Sequence, residues 1–214
     1  MNFLRHSRAL FLFLSAFVLL FSFSNSVNAG DLFISEKGEL LYSTDFSSLK
    51  DWRVSAGRWE RSGDSLLATQ GAGETHAAHM VMKRNDFTDI IIEFEAQLGE
   101  ASTVQMTIDD RPKKLGRITL DLKKFTGIQT HRLQKTQPIE KTFNAVEGPF
   151  VQDQWYTIQI EMVNNQIVAL IGDEFSSSID NVWSGKPKRL GLYAKKGPGK
   201  FRNLKIWNAL PKQQ

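Results

Sequence analysis

The stretch IIIEFEAQL, Ile90 to Leu98, places Ile92, Phe94, Ala96 and Leu98 on one side of the chain and Glu93, Glu95 and Gln97 on the other. A period of two belongs to a strand with one dry face, because successive side chains of an extended backbone point to opposite sides. The alternation recurs in STVQMTID (Ser102 to Asp109), where Val104, Met106 and Ile108 oppose Thr103, Gln105, Thr107 and Asp109. In GRITLDLKKF, Ile118, Leu120 and Leu122 oppose Arg117, Thr119, Asp121 and Lys123, and in WYTIQIEMV (Trp155 to Val163) Tyr156, Ile158, Ile160 and Met162 oppose Thr157, Gln159 and Glu161. Turn residues separate such runs. Asn164-Asn165-Gln166 leads into IVALIG as a hairpin, RSGD (Arg61 to Asp64) sits between GRWE and SLLAT, and KGPGK (Lys196 to Lys200) divides LGLYA from FRNLKIW. Short strands with one apolar and one polar face predict an all-β chain, an antiparallel sandwich of two sheets with apolar faces together and polar faces outside. The polar face of a curved sheet is where such a sandwich holds an elongated ligand.

The first residues follow another rule. Arg5 and Arg8 precede an almost wholly apolar run from Ala9 to Phe23, and Val27-Asn28-Ala29 has the small-residue pattern of a cleavage site. Residues 1–29 therefore read as a signal peptide and residues 30–214 as a single domain, periplasmic or secreted. With no cysteine in the chain, neither disulfides nor a lipoprotein anchor are expected, and no stable membrane anchor remains after cleavage. Removing Arg5 and Arg8 lowers the basic count from 27 to 25 against 23 acidic residues, a formal charge of +2. The basic residues of KPKRLGLYAKKGPGK (Lys186 to Lys200) are interleaved with turn residues, which excludes a nucleic-acid partner on this reading. A monomer is expected.

LYSTDF, DWRVSAGRWERSGDSLLA, FTDIIIEFEAQL, DQWYTIQIEMVNNQIVALIGDE and PKRLGLYAKKGPGKFRNLKIW together resemble the 3-keto-disaccharide hydrolase or 3-keto-glucoside lyase family of exported bacterial domains, over Leu41 to Trp207. The resemblance implies a concanavalin A-like, laminin-G-like jelly roll acting on an oxidised glycoside without a cofactor. It also matches His76-Ala77-Ala78 to a histidine found in the short members of the family. The N-S-G-[IV]-x-x-R segment of the larger members is absent, since its place reads ASTVQMTIDD, and Gly116 stands where the short members have a histidine before the arginine, here Arg117.

GETHAAHM (Gly73 to Met80) carries two of the four histidines, His76 and His79, and leads into the alternation of Met80 and Met82 with Val81 and Lys83. The pair therefore begins a strand, points to opposite faces and forms no two-histidine clamp. A metal site would need ligands from other strands, and with His131 the only other histidine of the mature chain a carboxylate such as Asp109 or Asp110 would have to complete it; none is expected. The candidate catalytic groups are His76, Asp109, Asp110 and Glu95; Asp109-Asp110-Arg111-Pro112 lies where a strand meets a loop at the sheet rim. Glu93 and Glu95, about 7 Å apart on one strand face, with Asp121 and Glu161 on neighbouring strands, offer a ligand-binding face alongside Arg117 and Trp59. Trp155 and Trp207 read as core, leaving Trp52, Trp59 and Trp183 as possible sugar platforms. Two functions follow: cleavage of a 3-keto-glycoside, in which a base removes the proton beside the ketone and the glycosidic oxygen leaves, or a non-catalytic module that binds a glycan. Mass spectrometry of exported protein is expected to find a mature chain beginning at Gly30, and an intact Met1 would refute the signal-peptide reading.

Overall fold

The computed structural model describes residues 32–71, 73, 76–99, 103–109, 114–122, 126–132, 139–146, 150–179, 183 and 188–213. All their regular structure is strand: β1 (Ser35–Thr44), β2 (Trp52–Ala56), β3 (Arg58–Ser62), β4 (Ser65–Thr69), β5 (Ala78–Met82), β6 (Ile90–Leu98), β7 (Thr103–Asp109), β8 (Lys114–Asp121), β9 (Thr126–Arg132), β10 (Ile139–Val146), β11 (Trp155–Val163), β12 (Gln166–Ile171), β13 (Glu174–Ile179), β14 (Arg189–Lys195) and β15 (Gly199–Pro211). The first sheet runs β13-β12-β11-β6-β15-β4-β3, with β1 also paired to β15; the second runs β10-β9-β8-β7-β14-β5-β2. Every pairing between named strands is antiparallel.

The apolar set read from the alternation is the set that faces the core. Ile90, Ile92, Phe94, Ala96 and Leu98 of β6 meet Val104, Met106 and Ile108 of β7, Ile118 and Leu120 of β8, and Leu190, Leu192 and Ala194 of β14 in one core between the sheets. The turns also fall where the sequence places them: Asn164 at φ +53° joins β11 to β12, and Gly63 at φ +64° joins β3 to β4. Gly57, at φ +74°, carries the chain from β2 in the second sheet to β3 in the first; a β-carbon there would lie 2.5 Å from that of Ala78.

Long β15 departs from strict alternation. Phe201 and Leu204 are both fully buried although three residues apart, a spacing that puts side chains of a regular strand on opposite faces. A register shift between Arg202 and Lys205, with Asn203 at φ +54°, absorbs the odd residue and returns Leu204 and Ile206 to the core.

Among the described residues, the outer face of the first sheet is covered in part by the segment before β1. Ile91, Val163 and Ala209 form a small apolar cluster there, packed against Leu32, Ile34 and Trp207. Beside it Glu161 is 1% exposed. Its Oε1 accepts the backbone N–H of Phe33 at 2.6 Å, and its Oε2 accepts the N–H groups of Ile34 and Ser35, each at 2.9 Å, and the Ser35 hydroxyl at 2.7 Å. A buried carboxylate is tolerable only when hydrogen bonds replace its water, and here the strap supplies them. The Phe33 ring meets that of Phe175 at 4.9 Å, and the Lys212 N–H donates to the carbonyl of Ile34 at 3.2 Å, so the strap is held at both sides.

Glu161→Gln replaces one accepting oxygen with an NH₂ that faces donors. It is expected to lower stability by about 2–3 kcal/mol, read as a lower urea midpoint at unchanged slope, with faster hydrogen exchange at Phe33 to Ser35.

Candidate functional site

The carboxylates grouped by the sequence reading do not share a surface. β6 and β7 are consecutive in the chain but lie in different sheets, so Glu93, Glu95 and Glu161 are on the outer side of the first sheet, and Asp109, Arg117 and Asp121 on that of the second. Alternation told which residues share a strand face; it did not tell which strands are neighbours.

On the first sheet each candidate is already engaged. Glu93 pairs with Lys37 at 2.6 Å. Glu95 accepts the Arg202 guanidinium through Oε2 at 2.8 and 2.6 Å and the Asn203 amide through Oε1 at 2.7 Å. Arg202 also pairs with Asp64 at 2.7 Å and lies over the Trp155 ring at 4.1 Å. Its bond to Glu95, more than any other cause, raises its pKa above the ordinary value. Glu161, read as part of a ligand-binding face, instead holds the strap and presents no oxygen to solvent.

The tryptophans are also redistributed. Trp52 and Trp183 are core residues, and Trp183 lies so close under β8 that a β-carbon on Gly116 would approach its ring to 2.3 Å. Trp59 is half-buried, stacked on Phe201 with centroids 6.0 Å apart and donating its indole N–H to the carbonyl of Ala56, so it packs on the core and offers no open platform. Trp155 and Trp207, read as core, are on the outer face of the first sheet, half-buried beneath Arg202 and Lys37.

The second sheet is different. Strand register aligns His79, Tyr193, Gln105, Thr119 and Gly127 in one row across β5, β14, β7, β8 and β9, and Val81, Gly191, Thr107, Arg117 and Gln129 in the next. Five strands span about 19 Å, with rows about 7 Å apart. Gln105, Thr107 and Thr119 are buried although they point away from the core, and Gln105 donates to the Thr119 hydroxyl at 3.1 Å. His79 meets Tyr193 edge to face with centroids 6.2 Å apart. Gly191 is buried in the next row with side chains closed over it: a β-carbon there would lie 2.5 Å from Thr107 Oγ1 and 3.1 Å from His79 Nε2. Only a glycine therefore lets Thr107 and His79 close over the backbone of β14 at this point.

Asp109 and Asp121 mark opposite ends of this face. Asp109 pairs with Arg189 at 3.0 Å, and Asp121 accepts the Thr103 hydroxyl at 2.6 Å. Asp121 stands opposite Thr103, six residues along β7 from Asp109, about 20 Å away and too far for the two to act as acid and base on one bond. His76 is exposed in the bend before β5, and Asp110 lies outside the described residues. Among the described residues no group of three His, Asp or Glu side chains is placed to hold a metal ion. The sequence reading treated His79 only as half of H-x-x-H and passed over Tyr193, Gln105, Thr107, Thr119 and Gln129. The available signal was a small or polar residue at every second position of TVQMTID and LGLYA, which in each case is the outward set.

No protein-family model matches the chain, and no curated protein matches it in sequence. Solved structures do match in fold. A carbohydrate-binding module, CBM66 from Bacillus subtilis, superposes with a TM-score of 0.58 at 12% identity, covering 74% of this chain and 96% of its own. A β-glucanase from Bacillus licheniformis gives 0.56 at 10% identity, covering 81% and 99%, and a laminarinase from Flavobacterium sp. UMI-01 gives 0.58 at 10%, covering 79% and 100%. The sandwich is thus a jelly roll.

Burial pushes the Tyr193 phenol above its ordinary value, and the Arg117 charge opposes that rise. A raised phenol pKa means that the unfolded chain ionises first, so stability is lost as pH climbs above about 10 towards the folded value. In an ultraviolet difference titration, Tyr193→Phe is expected to remove a late-ionising phenol, and Arg117→Gln to delay that ionisation further.

Proposed function

We propose that the chain is a carbohydrate-binding jelly-roll domain that holds an extended glycan across the outer face of its second sheet. The observation that carries the reading is the row of His79, Tyr193, Gln105 and Thr119 across four adjacent strands of one outer face. Tyr193 supplies a flat apolar face with a polar tip, and the amide and hydroxyls supply donors and acceptors matched to sugar hydroxyls. Support comes also from fold neighbours described as a carbohydrate-binding module, a β-glucanase and a laminarinase. With its leader removed, the domain would meet this ligand in the periplasm or the medium.

Binding is favoured over hydrolysis because a glycosidase needs two carboxyls about 5 to 9.5 Å apart with one free to move a proton. Asp109 and Asp121 are too distant from each other, and Glu93 and Glu95 are engaged with Lys37, Arg202 and Asn203. The 3-keto-glycoside cleavage implied by resemblance has one feature in its favour. His79 beside Tyr193 sets a possible base next to a phenol that burial keeps protonated, the pair an elimination beside a ketone requires.

In calorimetric titration against a panel of oligosaccharides, Tyr193→Ala is expected to weaken the best ligand by on the order of 1 kcal/mol, while Trp155→Ala on the opposite face leaves it unchanged. Absence of any glycan binding would overturn the proposal. Incubation with 3-keto-glucosides separates the two readings: no release of aglycone is expected of a binding domain, whereas turnover that is lost in His79→Ala would establish cleavage.

A further inference from the structure

The charges on the second sheet's outer face are unequally satisfied. Asp109 is paired with Arg189, and Asp121 is bonded to Thr103. Arg117 is half-buried on this face, between Thr107 and Gln129 in register, and makes no ion pair with another described residue. Its charge reaches Tyr193 two strands away, where it favours the phenolate. Its own row and the row towards Asp121 hold neutral groups, the amides of Gln105 and Gln129 and the hydroxyls of Thr107 and Thr119, and the carboxylate one row the other way, Asp109, is paired with Arg189. A half-buried guanidinium among neutral hydrogen-bonding groups is costly to leave without an anion, and its planar fork matches a carboxylate in two parallel bonds.

We infer that the glycan is anionic, a polysaccharide of uronic acids whose carboxylate is bound by Arg117 while its hydroxyls meet Gln105, Thr107 and His79 and its ring lies against Tyr193. This rests on the proposed function and adds the chemical class of the ligand. Arg53, exposed at the β2 edge in the same row, and Lys195, exposed beside Thr103, extend positive charge to either side, so a chain with a carboxylate on each sugar finds further cations along its length.

The experiment is calorimetric titration of the purified protein at physiological salt with four probes of equal length: an oligogalacturonate, its methyl ester, a neutral gluco-oligosaccharide and a sulfated neutral oligosaccharide. The oligogalacturonate is expected to bind at least about tenfold more tightly than its ester, the worth of hydrogen bonds to a charged partner. Arg117→Gln should bring the acid down to the level of the ester and leave the ester within about twofold. Lys205→Gln, the same loss of charge on the first sheet, should change neither. Equal binding of acid and ester, or acid binding that survives Arg117→Gln, overturns the anionic ligand while the glycan-binding face stands. Preference for the sulfated probe overturns the carboxylate assignment. A protein that binds none of the four refutes both the inference and the function on which it rests.

Discussion

Everything in this sandwich depends on keeping side chains in phase. A strand in a two-sheet fold must send every second residue inward along its whole length, since a slip of one residue exchanges the dry face for the wet one. β15 shows how firmly this is enforced. It lies against β6 on one side and against both β4 and β1 on the other, so an error in its phase would unseat three strands. The extra residue near Asn203 is taken up in a bulge, and Phe201, Leu204 and Ile206 all remain in the core.

Because the core takes only half of each strand, the outer halves are free to diverge, and the two sheets use them differently. The first sheet spends its outer face on the protein itself: Glu161 holds the strap, Lys37 and Arg202 lie over Trp207 and Trp155, and Glu93 and Glu95 are held in ion pairs. The second sheet carries amides, hydroxyls, a histidine–tyrosine contact and a glycine. The first sheet's outer groups are bonded to one another and stabilise it; on the second sheet Gln105 and Thr119 are bonded too, and a ligand would meet the donors and acceptors that their single bond leaves over.

The period of two was legible, and with it β6, β7, β8, β11, their inward residues and the turns at RSGD, NNQ and KGPGK. Neighbourhood was not, because pairing between strands far apart in sequence leaves no local trace. That is why Glu95 and Asp109, close in the chain, were grouped although the core separates them. β13 shows a second limit. Its Phe175 and Ile179 point outward, 44% and 68% exposed, while Ser176 and Ser178 face inward. The inversion has a physical reason that involves a residue beyond the strand: Ser178 accepts the indole N–H of Trp183, which must find a partner once the ring is buried. The strap on Glu161 was invisible for a similar reason, since three of its four donors are backbone groups, of Phe33, Ile34 and Ser35, and only the Ser35 hydroxyl is a side chain.

The placement of the tryptophans has an optical consequence. Two are sealed in the core, one leans on Phe201, and two lie under cations on the first sheet, so none projects from the face that carries Tyr193. Intrinsic emission from this protein therefore reports the integrity of the sandwich and the state of the wrong surface. A flat emission trace during a titration would be silent about occupancy, and the chromophore in the right place is the weakly fluorescent phenol of Tyr193.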